Sequence, residues 1–71
     1  MNNLKKIRED KNITQAKLSE LSGVNLRTLQ YYEQGYKDIN KAQVITLYRI
    51  ARVLCCNIED LLSINNDRDG L

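Results

Sequence analysis

Apolar side chains recur along this chain at steps of three and four residues, the spacing that gives a helix one buried face. Leu4 and Ile7 mark a first such segment, Leu18 and Leu21 a second, and Leu29 and Tyr32 a third. Val44, Leu47, Ile50, Ala51 and Leu54 form the longest stripe, widened by Ile45 and Tyr48. Leu61 and Leu62 anchor a last short segment. No stretch alternates apolar and polar residues as a half-buried strand would. The pattern predicts an all-α domain.

Capping chemistry sets the boundaries. The first helix is expected from Asn2 to Lys11, with Lys5, Lys6 and Arg8 toward the edge or solvent and Asn12 as its stop. Thr14 suits the cap of a second helix, Gln15 to Ser22, which Gly23 ends by adopting positive φ. Asn25 then caps a third, Leu26 to about Gln34, closed by Gly35. A short connection from Tyr36 to Ile39 leads to Asn40, the expected cap of a fourth helix from Lys41 to about Cys55. Asn57 caps a fifth, where Glu59 and Asp60 complement the positive end of the helix dipole. Residues 1–64 are expected to form one domain, and 65–71 a polar, frayed tail.

The bulk composition narrows the function. The 71 residues are 42% hydrophobic and 28% charged, the balance of an ordinary globule. No apolar run is long enough to cross a bilayer and the N-terminus lacks a signal-peptide pattern, so a cytoplasmic location is expected. The net charge is only +2, but residues 1–41 carry eight basic groups against five acidic, whereas residues 42–71 carry three against four. A basic N-terminal part suits a polyanion. Histidine is absent, and the only thiols, Cys55 and Cys56, are adjacent, without metal-site spacing or ordinary disulfide geometry. The three glycines, at 23, 35 and 70, form no phosphate-cradling loop. These features argue against an enzyme and predict no metal, cofactor or small-molecule substrate.

Two short helices joined through a glycine-containing turn make a helix-turn-helix corner. Here the corner carries Thr14-Gln15-Ala16-Lys17-Leu18-Ser19, then Gly23-Val24-Asn25, then Leu29, then Tyr32-Glu33-Gln34-Gly35. In this order and spacing the chain resembles the phage-repressor and Cro-type helix-turn-helix family, from Leu4 to Leu62. The resemblance implies a compact five-helix, lambda-repressor-like DNA-binding domain whose third helix enters the major groove while the second crosses the backbone.

With Leu29 and Tyr32 turned inward, Leu26, Arg27 and Thr28, and one turn later Gln30 and Tyr31, are the candidate base contacts. Arg27 suits a guanine N7 and O6, and Leu26 a thymine methyl. By the resemblance Gln15 holds a phosphate at the start of helix two. Thr14, Asn25, Gln34, Tyr36 and Lys37 are further phosphate candidates. The resemblance also implies that Arg8 pairs with Glu33, fixing the tilt of helix three.

Three features depart from the family pattern. Ser19 stands where Ala is frequent, Cys55 where Gly often ends helix four, and the link after Gly35 is longer and lacks a frequent Pro. Cys55 and Cys56 read as small hydrophobes.

The resulting expectation is a prokaryotic or mobile-element transcriptional regulator, a repressor of near-palindromic double-stranded operators. Ile58, Leu61, Leu62 and Ile64 either form a homodimer interface through helices four and five or finish the monomer core. The alternatives are a DNA-binding antitoxin or other protein-interaction module, which an exposed apolar patch on those helices would favour, and a structural helical bundle that binds no nucleic acid.

Overall fold

The computed structural model describes residues 3–62. Within them lie α1 (Leu4–Asp10), α2 (Gln15–Ser22), α3 (Leu26–Gln34), a 3-10 turn (Ile39–Lys41), α4 (Val44–Leu54) and α5 (Ile58–Leu61), with no strand among the described residues. The five-helix, all-α expectation holds. The expected tail, residues 65–71, lies outside the described residues, as do Asn2 and Ile64.

Local chemistry explains the boundaries of α2 and α3. The Thr14 hydroxyl oxygen accepts from the Lys17 N–H at 3.0 Å, and Asn25 Oδ1 accepts from Arg27 N–H at 2.8 Å, each satisfying a donor the helix itself leaves unpaired. Gly23 and Gly35 close the two helices at φ 76° and 84°. At Gly35 the closure is a Schellman motif, with Tyr36 N–H donating to the Tyr31 carbonyl and Gly35 N–H to that of Tyr32. Asn12 ends α1 at φ 58°, a conformation Asn tolerates better than most residues.

Leu4, Leu18, Leu29, Ile39, Ile50, Leu54 and Leu61 are fully buried, and Val24, Tyr32, Leu47 and Ala51 complete a single core. Burying a leucine-sized side chain contributes about 1.5–3 kcal/mol, so this cluster supplies the main driving force for so short a chain.

The structure corrects several expectations. Leu21 is 54% exposed, because the inward side of α2 runs through Leu18 and, beside it, Gln15, Ser19 and Ser22, whose small or polar side chains admit close neighbours. Arg8 is buried rather than set toward solvent, for reasons given with the site below. Asn40 does not cap α4. Instead Asp38 Oδ1 accepts from Asn40 N–H at 2.9 Å and starts the 3-10 turn, which drives Ile39 into the core. Helix α4 therefore begins later, at Val44, and leaves that residue 72% exposed at its first turn. Ile45 and Tyr48 also face outward, not toward the core stripe of Leu47, Ile50, Ala51 and Leu54. At its other end α4 stops at Leu54, with Cys55 in the left-handed region at φ 55°, the role glycine usually fills.

Candidate nucleic-acid interface

The turn between α2 and α3 is held by serines. The Ser19 hydroxyl donates to the Val24 carbonyl at 2.6 Å, and the Val24 N–H donates to the Ser22 hydroxyl at 3.2 Å. Both backbone groups of a buried valine are thus satisfied by α2 side chains, which sets the angle between the two helices. Ser19, a departure from the small alanine of the family pattern, serves this turn directly.

Beneath α3 lies a polar node. Arg8 donates from Nε to Glu33 Oε2 at 2.7 Å and from Nη2 to Glu33 Oε1 at 3.1 Å, while its Nη1 donates to the Ile13 carbonyl at 2.7 Å. The Arg8 and Glu33 side chains are 10% and 3% exposed. The hydrogen bond to Glu33 outweighs burial and holds the Arg8 pKa above its ordinary value. One guanidinium therefore joins α1, the connection to α2, and the last turn of α3 through a bidentate, charge-assisted contact. The expected pair is present in full, and burial of Arg8 follows from it.

Gln15 adds a link that the residue pattern did not announce. Its Nε2 donates to Glu33 Oε1 at 2.9 Å, joining the start of α2 to the same carboxylate. The only signal for it in the sequence was the position of Gln15 in the first turn of α2, read there as a phosphate contact. The observed bond uses one amide hydrogen and leaves the other.

On α3, Leu29 and Tyr32 are buried, and Arg27, Gln30, Tyr31 and Gln34 follow one another at steps of three, one and three residues on the opposite side. Arg27 and Gln34 are exposed, and Gln30 and Tyr31 half-buried. Leu26, at 37% exposure, flanks the first turn. Thr28 is half-buried and lies on the inner flank, four residues before buried Tyr32. Tyr36 is 75% exposed and meets Tyr31 edge-on, with centroids 5.9 Å apart. Lys37 follows it, also exposed.

The caps leave useful groups outward. Thr14 and Asn25 spend acceptor oxygens on helix N–H groups, so the Thr14 hydroxyl proton and the Asn25 amide hydrogens stay available as donors. The one acid of α3, Glu33, points inward against Arg8, so the outer side of the helix carries Arg27 and no carboxylate.

Of the residues considered for a dimer interface, Leu61 is fully buried in the monomer core, whereas Ile58 and Leu62 pack partly against it. Leu61 is thus a core residue, and Ile64 lies outside the described residues. No grouping of His, Cys, Asp and Glu suited to a metal occurs among the described residues, and no helix there is long and apolar enough to cross a membrane. Cys55 is exposed and Cys56 half-buried, with burial first among the causes that raise the Cys56 pKa.

Comparison with curated protein sequences gives no match. A family profile described as "Helix-turn-helix" matches residues 4–61, from the first core leucine to the last. That span takes in the serine-tied turn, the polar node and all of α3, and with it the chain belongs to the Cro-type helix-turn-helix family of DNA-binding regulators.

Proposed function

We propose that this regulator is a repressor that binds a near-palindromic operator as a homodimer, with α3 in the major groove. The observation that carries the reading is the outward stripe of α3. It presents Arg27, Gln30, Tyr31 and Gln34, while its only carboxylate is turned inward and matched by Arg8. Facing a polyanion, a helix surface with no negative charge and a forked cation near its N-terminus is well placed. Arg27 reads a guanine through N7 and O6, and Leu26 touches a thymine methyl. Gln30 and Tyr31 contact neighbouring bases or their sugar edges, and Thr28 stands at the inner rim of the set.

Phosphates take the remaining donors. Gln15, held in place by Glu33, offers its second amide hydrogen at the positive end of α2. Thr14 and Asn25 donate from the groups their caps leave unused, and Gln34, Tyr36 and Lys37 reach the backbone beyond α3. Such contacts fix the register of the protein without reading sequence. Occupancy of a promoter is enough to repress, and neither a cofactor nor a catalytic group is required. Ile58 and Leu62, only partly covered in the monomer, serve the dimer contact.

Selection of bound duplexes from a randomised pool tests the proposal. The expected product is a two-fold site with half-site centres about 34–36 Å apart. Recovery of duplexes with no shared motif, at an affinity insensitive to salt, would contradict it.

A further inference from the structure

Helix α4 has two stripes. The inner one, Leu47, Ile50, Ala51 and Leu54, lies in the core. The outer one is offset by two residues and repeats the same spacing with Ile45, Tyr48, Arg49 and Arg52, all exposed. Beside it Leu21 of α2 stands 54% exposed, and a shallow hollow of about 360 Å³ lies between Leu21, Arg52 and Val53. Tyr48 lines a second hollow with Arg52 and Ile58, so Arg52 borders both, and exposed apolar side chains on either side of it mark a surface that excludes water when a partner covers it.

Charge narrows the occupant. Helix α4 contains no acid, and among the described residues neither Arg49 nor Arg52 has a carboxylate partner. Arg52 is instead laid across Tyr48, with its guanidinium carbon 5.8 Å from the ring centroid and Nη1 donating to the Tyr48 hydroxyl at 3.1 Å. This contact holds the cation over an apolar platform. The single acid of α2, Glu20, is engaged by Lys17 at 3.7 Å. Two copies meeting through this face about a two-fold axis would crowd four arginines together with only Glu59, which lines a hollow with Tyr48 and Arg52, to offset them on each copy, which disfavours self-association there. The interleaved Ile45 and Tyr48 also suit an apolar ridge better than a phosphate row. We infer that the Ile45–Tyr48–Arg49–Arg52 face of α4, with Leu21, docks an acidic amphipathic helix of another protein. The apolar edge of that helix would seat over Ile45, Tyr48 and Leu21, and its carboxylates would pair with the two arginines.

The peptide comparison needs no DNA, so its outcome stands apart from the reading of α3. Two fluorescent helical peptides of roughly 20 residues carry the same leucine stripe, one flanked by Glu and the other by Lys. The wild-type protein is expected to bind the Glu peptide at least about tenfold more tightly than the Lys peptide, and the R49E/R52E variant to reverse that order. Ile45→Ser with Tyr48→Ser, which leaves net charge unchanged, should abolish peptide binding while operator affinity stays within about twofold. Melting curves confirm that each variant is folded, and the comparison of the two peptides on the wild-type protein needs no variant at all. Equal binding of the two peptides, or binding of neither, would overturn the inference. So would loss of operator affinity in the folded serine variant, which would give the face to DNA, or a dimer that this variant dissolves, which would give it to a second copy.

Discussion

Replacing Arg8 by methionine removes the cation beneath α3 while keeping much of its stem. Three donations are lost, two to Glu33 and one to the Ile13 carbonyl, and the carboxylate keeps only the Gln15 amide. With the two side chains 10% and 3% exposed, the contact belongs to the buried class. Removing one member of such a pair costs about 3–5 kcal/mol, because the other is left charged and desolvated. Methionine recovers some packing, so about 3 kcal/mol is expected for Arg8→Met. For a domain of this size 1 kcal/mol moves the melting midpoint by about 4–8 °C, giving a fall of at least roughly 12 °C.

Circular-dichroism melts of Arg8→Met, Glu33→Met and the double variant form the assay. Two apolar side chains can fill the space of a buried pair at little cost, so the double variant should return to within about 1 kcal/mol of the wild type. Its DNA affinity should stay reduced, since two methionines do not reproduce the two-point grip on the end of α3. A midpoint for Arg8→Met within about 2 °C of the wild type, or single losses that simply add in the double variant, would refute the reasoning.

Ser19→Ala leaves the carbonyl of buried Val24 without the hydroxyl that donates to it at 2.6 Å, and is expected to cost about 1 kcal/mol in urea melts. Cys55 occupies the left-handed region at φ 55°, which disfavours a side chain by about 1–2 kcal/mol, so Cys55→Gly should raise stability by up to about 1 kcal/mol after the entropy of glycine is counted. Alkylation mapped by peptide mass should modify exposed Cys55 first, because burial both shields Cys56 and raises its thiol pKa.

The limits of α2 and α3 were legible because their caps are local. Thr14, Gly23, Asn25 and Gly35 each act on backbone groups a few residues away, and their identities name the job. The Arg8–Glu33 pair was legible only through resemblance, since 25 residues separate its members and nothing in their spacing joins them. Leu21 misled because a leucine three residues from a buried one looks inward. The choice of the Ser19 and Ser22 side of α2 was made by tertiary packing. Ile39 was read as part of a connection because a single apolar residue has no period, and its burial depends on a turn begun by Asp38. The outward Ile45 and Tyr48 broadened an apparent core stripe because hydrophobicity alone does not separate a core face from a docking face. In the candidate site, the outward placement of Arg27, Gln30 and Tyr31 followed from the inward turn of Leu29 and Tyr32. Thr28, read with them, lies half-buried on the inner flank, and the Gln15 contact with Glu33 needed the fold to bring two helices together.

The proposed groove-reading role of α3 meets its most direct trial in quantitative binding of Arg27→Ala to a selected operator, to that operator with single base-pair changes, and to random duplex. The variant is predicted to lose about 1–3 kcal/mol on the operator, to become indifferent at one base pair in each half-site, and to keep its affinity for random DNA nearly unchanged. An equal loss on every duplex, or no loss on any, would contradict the account.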